Sequence, residues 1–277
     1  MQIVQISTRL DRLSALLDGV APVFSVFFPS EHCRPGHGLV PEAERSLAMV
    51  IDATKPKLGV EPSAAPDLAP SLWIGHLAHW VGCEAEERSE AAESICIRAQ
   101  LTGPLGPLLM EEFAEPIELT TDTDETALSA PIALIRQEIN RPRCGQPALL
   151  KSAGDILFIG ILRNIVANPK PERPGLLRAL SDARIAKALV AMHQVPHLNW
   201  NLSSLALEAG MSRTSFATTF KKAMNKTPRK YLVALRLALA RRALDSGKTV
   251  KEAARLSGYR RPSSIARALK NESGSDA

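Results

Sequence analysis

The sequence predicts an α+β chain in two parts. The first is an N-terminal β-sandwich or small barrel that passes into a helical segment, and the second is all-α and carries two helix-turn-helix modules. Three observations lead there. Short apolar segments broken by Pro and Gly fill the first hundred residues, and apolar residues at helical spacing fill the rest. Charge divides by position: residues 1–175 hold 15 Lys and Arg against 23 Asp and Glu, a net of −8, whereas residues 176–277 hold 19 against 6, a net of +13. A Pro-rich stretch, NPKPERPG (residues 168–175), lies between the two textures and marks a hinge. The expected domains are therefore residues 1–170 and residues 176–277.

Composition narrows the class. Of 277 residues, 45% are hydrophobic and 23% charged, close to the globular average, so wholesale disorder is excluded. The longest apolar run, residues 156–162, is seven residues long. A membrane span needs about 20, so none is expected. The N-terminus MQIVQISTRLDRL lacks the basic and apolar regions of a secretory signal. The four cysteines, Cys33, Cys83, Cys96 and Cys144, are too few in a chain this long for a disulfide framework. A cytoplasmic protein with reduced thiols is expected. A net of +13 in the second part points to a polyanionic partner, and nucleic acid fits better than membrane because the same residues carry ordered helical patterns.

The segments PVFSVFF (residues 22–28), SLAMVID (46–52), PSLWIGHLAHWVG (70–82) and SICIRAQL (94–101) read as strands, and EPSAAPDLAP (61–70) as a loop. From Gly103 the spacing becomes helical in PLGPLLMEEF (104–113), TALSAPIALIRQEIN (126–140) and QPALLKSAGDILFIGILRNIVAN (146–168). Leu149, Leu150, Ile156, Leu157, Ile161, Leu162 and Ile165 cover more than one face of the last segment. A helix apolar nearly all round is buried or shared with a partner, so this one is read as core plus a dimer seam.

In the basic part, Asn201 caps a helix from Leu202 to about Ala209, with Leu202, Leu205 and Ala206 inward. Gly210 suits the left-handed turn that ends it. Ser212 caps a second helix from Arg213 to about Met224. Phe216 and Phe220, four apart, face inward, and Arg213, Thr214, Ala217, Thr218 and Lys221 face outward. Thr227 caps a longer helix with Pro228 at its first position, where no N–H is needed. Tyr231, Leu232, Leu235, Leu239 and Leu244 form its core stripe, while Arg236, Arg241 and Arg242 lie outward or at the rim. The pattern then repeats. Thr249 and Glu252 form a capping box, and Val250, Ala253, Ala254 and Leu256 point inward. Gly258 makes the turn. A last helix starts near Pro262 with Ile265 and Leu269 inward and Ser263, Ala266, Arg267 and Lys270 outward. Any helical hairpin with a glycine turn imitates one such module. Two copies in the basic part are specific.

These residues resemble the AraC/XylS family of bacterial transcription regulators. The matching stretches are NLSSLALEAGMSRTSFATTFKKAMNKTPRKYL, LRLALARRAL and TVKEAARLSGY, and together they run from about Trp200 to the C-terminus. The preceding LLRALSDARIAKALVAMHQVPHLNW (176–200) resembles the lead-in of members with a cupin-type N-terminal sensor. The resemblance implies a bacterial DNA-binding regulator. Its N-terminal domain would be cupin-like, and its two helix-turn-helix modules would read successive major-groove segments of double-stranded DNA. The implied reading positions are Arg213, Thr214, Ala217 and Thr218, then Ser263, Ala266 and Arg267. Lys221, Lys222, Arg229, Lys230, Arg260 and Lys270 suit phosphates, which fix register without reading sequence. A homodimer and contact with RNA polymerase are the other partners implied. The family pattern has Phe where Ile265 and Leu269 stand and a capping residue where Arg261 stands. The chain also stops at Ala277, before the family's closing helix. A shortened second reading helix is expected from these departures.

Four of the six histidines lie before residue 80 and form two clusters with cysteines: His32, Cys33 and His37, then His76, His79 and Cys83. Imidazole and thiolate suit Zn²⁺ or Fe²⁺. The spacing only approximates the two cupin metal motifs, so no metal or other cofactor is expected, and a small-molecule effector stays open. If a metal is held, His37 and His79 are expected among its ligands. Cys33, flanked by His32 and Arg34, has the most electropositive surroundings of the four thiols for redox sensing. No G-x-S-x-G, Walker A or dinucleotide loop occurs, and a non-enzyme is expected. Two other readings remain beside the regulator: one with impaired DNA binding that acts through partner contacts, and a metal-dependent cupin enzyme.

Overall fold

The computed structural model describes residues 11–27, 46–51, 71–76, 95–120, 128–259 and 262–273. They divide into two compact units: residues 20–168, and residues 169–277 together with the residues up to Gly19.

The first unit is built on β1 (Pro22–Phe27), β2 (Ser46–Ile51), β3 (Ser71–His76), β4 (Ile95–Leu101) and β5 (Ile117–Thr120). They form one antiparallel sheet in the order β1-β4-β2-β3-β5. The expected sandwich or barrel is represented among the described residues by this sheet. In the register, Met49 stands opposite Ile97 and Ile74, and Val50 stands opposite Cys96 and Trp73. One face therefore carries Leu47, Met49, Ile51, Leu72, Ile74 and Ile97, all fully buried. The other carries Ser46, Ala48, Val50, Cys96 and Trp73, also buried. A central strand such as β2 is covered on both sides and shows no alternation, which explains the weak period of its sequence.

Between β4 and β5 lie α2 (Gly106–Met110) and a 3₁₀ turn (Glu111–Phe113). After β5 come α3 (Ser129–Asn140) and α4 (Gln146–Ala167), which pack on each other. Glu138, 2% exposed, pairs with Arg143, and Gln146 Nε2 donates to the Glu138 carbonyl at 2.5 Å, so the α3–α4 turn is tied down. α4 packs on β1. Phe158 stacks on Phe24 of β1 with ring centroids 5.7 Å apart. Beside it, Gly154 lets the helix approach, because a Cβ there would lie 2.9 Å from Phe24 Cγ and 3.0 Å from its Cβ. Gly154→Ala is therefore expected to lower the thermal midpoint. Overpacking costs about 1–3 kcal/mol, against about 1 kcal/mol gained in helix propensity. A raised midpoint in a melting scan would refute the close approach.

Leu157, Phe158, Ile161 and Leu162 are buried, whereas Ile156 is 54% exposed and Leu149, Leu150, Ile159, Ile165 and Val166 are half-buried. The helix is thus core on one side and apolar but uncovered on another.

The second unit holds α1 (Ser14–Val20) up to Gly19, α5 (Leu176–Ser181), α6 (Ala183–Gln194), α7 (Leu202–Glu208), α8 (Arg213–Met224), α9 (Pro228–Asp245), α10 (Val250–Ser257) and α11 (Pro262–Ser273). The sequence placed residues 1–170 in one N-terminal domain, but residues 11–19 cluster with the helical unit instead. Asp11 starts α1 by accepting from the Leu13 and Ser14 amides at 3.1 and 2.9 Å. Arg12 Nη1 donates to the carbonyls of Leu180 and Ser181, at 3.1 and 3.0 Å. These are last-turn carbonyls of α5 that no helical amide reaches.

Asp182 caps α6, whose buried stripe is Ile185, Ala186, Ala188, Leu189, Val190 and Met192. Near its end His193 Nε2 lies 2.5 Å from Tyr231 Oη. Burial pushes the His193 pKa down to about 4, so the ring is neutral at physiological pH. Phe220 packs edge-on to Tyr231 at 6.2 Å and against Phe216 at 5.5 Å, and all three are essentially buried. This aromatic row lies in the core of the first helix-turn-helix module.

Candidate nucleic-acid interface

The first helix-turn-helix module forms as its local sequence dictates. Asn201 and Ser204 make a reciprocal capping box at the start of α7. Gly210 takes φ +63° in the turn, and the Met211 amide donates back to Ala206 O at 2.9 Å. Ser212 caps α8 by accepting from the Ser215 amide. The second module repeats this with Thr249 and Glu252 on α10 and with Gly258 at φ +79°. The backbone amide and hydroxyl of Thr249 hold the Glu252 carboxyl below its ordinary pKa.

The second helices of the two modules are both 12 residues long, α8 from Arg213 and α11 from Pro262. At 100° per residue, Arg213, Thr214, Ala217, Thr218 and Lys221 fall within an arc of about 140°. Phe216 and Ala223 lie on the opposite side, and Phe220, also buried, borders the arc beside Arg213. Arg213, Thr214, Thr218 and Lys221 are exposed, and Ala217 is half-buried rather than fully outward. On α11 the matching positions Ser263, Ala266 and Arg267 are exposed, and Ile265 is fully buried against Ala240, Ala243, Ala253 and Ala254. The expected shortening of α11 does not occur. Ile265 fills the place that Phe216 fills in α8, and small alanines on α9 and α10 close around it.

The basic positions Lys221, Lys222, Arg229 and Lys230 are exposed at the end of α8 and the start of α9. Arg260 and the side chain of Lys270 lie outside the described residues. Three residues expected inward are exposed: Leu202 at 41%, Val250 at 46% and Leu256 at 43%. Leu202 and Val250 are the first residues of short helices, where no preceding turn covers them. Leu239 and Leu244 are half-buried, and Leu237, Ala240 and Ala243 take the core positions of α9. Arg236, expected outward or at the rim, is partly buried. Its Nε donates to Pro196 O at 2.9 Å and its Nη2 to Leu198 O at 2.7 Å. Burial lowers its pKa. No local pattern signals such a reach across 40 residues of sequence.

In the sheet unit, His76 Nε2 donates to Met110 O at 2.9 Å, so that nitrogen serves a carbonyl. His32, Cys33, His37, His79 and Cys83 lie outside the described residues. Among the described residues no group of three or more His, Cys, Asp or Glu is placed to hold a metal. Cys96 is buried and Cys144 exposed, both free thiols. No helix among the described residues is long and apolar enough to cross a membrane.

Two family models match the chain: a cupin model over residues 46–167 and a helix-turn-helix domain model over residues 205–275. The chain joins a cupin region to a helix-turn-helix domain. The chain is 30% identical over 148 residues to an HTH-type transcriptional regulator of Haemophilus influenzae, covering 53% of this chain and 49% of that one. It is 28% identical over 170 residues to a Streptomyces lividans protein described as an AraC-like transcription regulator, covering 60% of this chain and 56% of that one. The chain thus spans about half the length of the curated relatives it matches. A solved structure, the DNA-binding domain of AdpA in complex with a target DNA, is 26% identical. That match covers 31% of this chain and 78% of that one, with a TM-score of 0.30.

Proposed function

We propose that the protein is a DNA-binding transcription regulator whose cupin domain responds to a signal and whose helix-turn-helix domain reads double-stranded DNA. One observation carries this reading: two 12-residue helices present the same outward positions in a part of the chain with net charge +13. A helix of that kind enters the major groove with its N-terminal residues on base edges. Arg213 stands at the first position of α8, and Thr214 and Thr218 beside it suit a thymine methyl or a base edge. Arg267 on α11 suits guanine O6 and N7. Lys221, Lys222, Arg229 and Lys230 take phosphates, with Arg260 and Lys270 as further candidates. The uncovered apolar face of α4, with Ile156 at its middle, is the seam for a second copy. The protein acts in the cytoplasm, performs no catalysis of its own, and alters transcription through RNA polymerase at the promoters it occupies.

Selection of DNA by the full-length protein from a random pool tests this reading, since a regulator enriches a shared motif and an unrelated binder does not. With the enriched DNA, Arg213→Ala is expected to weaken affinity about tenfold or more, the worth of one good base contact. Its melting temperature should match the wild type, because Arg213 is exposed. Unchanged affinity would remove Arg213 from the reading set.

A further inference from the structure

The two helix-turn-helix modules are joined at a second point besides the helix they share. α9 belongs to both. Tyr231, near its start, sits in the first module's core with Phe220 and His193. Ala240 and Ala243, near its end, form the second module's core with Ala253, Ala254 and Ile265. Arg236 lies between these two halves. Its guanidinium binds the carbonyls of Pro196 and Leu198, in the loop that leads from α6 into α7. Trp200 Nε1 donates to Val195 O at 2.9 Å and closes that loop on itself.

The turn of the second module rests on the same loop. A Cβ on Gly258 would lie 2.6 Å from His197 Cα, 3.1 Å from Pro196 O and 3.2 Å from Arg236 Nε. Only glycine fits there, both for its φ of +79° and for the closeness of the loop backbone. A shared helix alone leaves the second module free to bend and twist about the helix axis. A second contact off that axis removes this freedom. The planar guanidinium suits the task, since it offers two donors in fixed geometry to two carbonyls, where a lysine offers a single point.

We propose that Arg236 is a positioning residue. By clamping residues 196–198 it fixes the orientation of α11 relative to α8, and so sets the spacing of the two DNA segments read together. This rests on the DNA-binding reading above. Arg236 itself touches no base in this account, so it affects the spacing dependence of binding rather than base preference.

The test uses the full-length protein, Arg236→Gln and Arg236→Lys, with DNA enriched from a random pool by the wild type. Footprinting locates the two protected segments, and one to four base pairs are then inserted between them. Anisotropy titrations should show the wild type losing affinity about tenfold or more on a two-base-pair insertion, comparable to losing one specific contact. Arg236→Gln should bind the selected spacing more weakly yet lose less than about twofold on insertion. Arg236→Lys should fall between them and serves if Arg236→Gln does not fold. A spacing profile for both variants as steep as the wild type, or a uniform loss at every spacing, would overturn the clamp. A wild type that enriches no motif would overturn the DNA-binding reading itself, and the clamp with it.

Discussion

Phe216→Ala is expected to destabilise the helix-turn-helix unit by about 3–5 kcal/mol, the usual cost of deleting a buried ring. Phe216 has no exposed surface, and its ring packs 5.5 Å from Phe220, which in turn meets Tyr231 at 6.2 Å. The cavity would open at the α8 end of a row that joins α8 to α9. Neighbouring side chains are held by helices on both sides and can collapse only partly. A domain typically has about 5–15 kcal/mol of stability in total, so the variant should be partly unfolded at growth temperature and defective in DNA binding. Chemical denaturation of the two proteins decides the matter. A midpoint for Phe216→Ala equal to that of the wild type would show that the aromatic row does not hold the module together.

The second large effect is a loss of stability in mild acid, set by His193. Its pKa in the folded state is about 4, against 6.5 for the free side chain, because burial disfavours the imidazolium. The unfolded chain therefore binds the proton first as pH falls. Stability is complete above pH 6.5, declines through the window between 6.5 and 4, and levels off below it. The full shift corresponds to roughly 3 kcal/mol. His193 is half-buried, so about 2 kcal/mol is the expected loss after screening. His193→Gln can keep a hydrogen bond to Tyr231 without titrating. The difference between wild type and variant across pH 8 to 4, read from urea midpoints, isolates His193 from the carboxylates that titrate lower. Equal slopes for both proteins would refute a neutral buried His193.

The helical half was legible in the sequence because its signals are local. Asn201, Ser212, Thr227 and Thr249 each cap the helix expected of them, and the α8 limits, Arg213–Met224, are the expected ones. Phe216 and Phe220 are inward for the same reason, a four-residue spacing. What was missed depends on contacts distant in sequence. Arg236 looks like one more basic residue on an exposed stripe until the loop at residues 196–198 is folded beside it. His193 stands within the recognised lead-in pattern, but its role needs Tyr231, 38 positions away. α1 gave no signal because seven residues with one short apolar stripe resemble any polar terminus, and its anchor is the far end of α5. β5 is only four residues long and follows a helical stretch, so no alternation could build up. The four other strands were found as apolar runs, though the sheet order needs pairing information that no single strand contains.

The central claim is that the basic tandem helices read DNA, and a salt-dependent titration tests it most directly. Full-length protein is titrated against fluorescent DNA from the region upstream of its own gene, and in parallel against a scrambled version, at several salt concentrations. The account predicts tighter binding to the native segment, with log affinity falling steeply and linearly against log salt as phosphate contacts release counterions. No binding at low salt, or equal affinity for both DNAs, would contradict it.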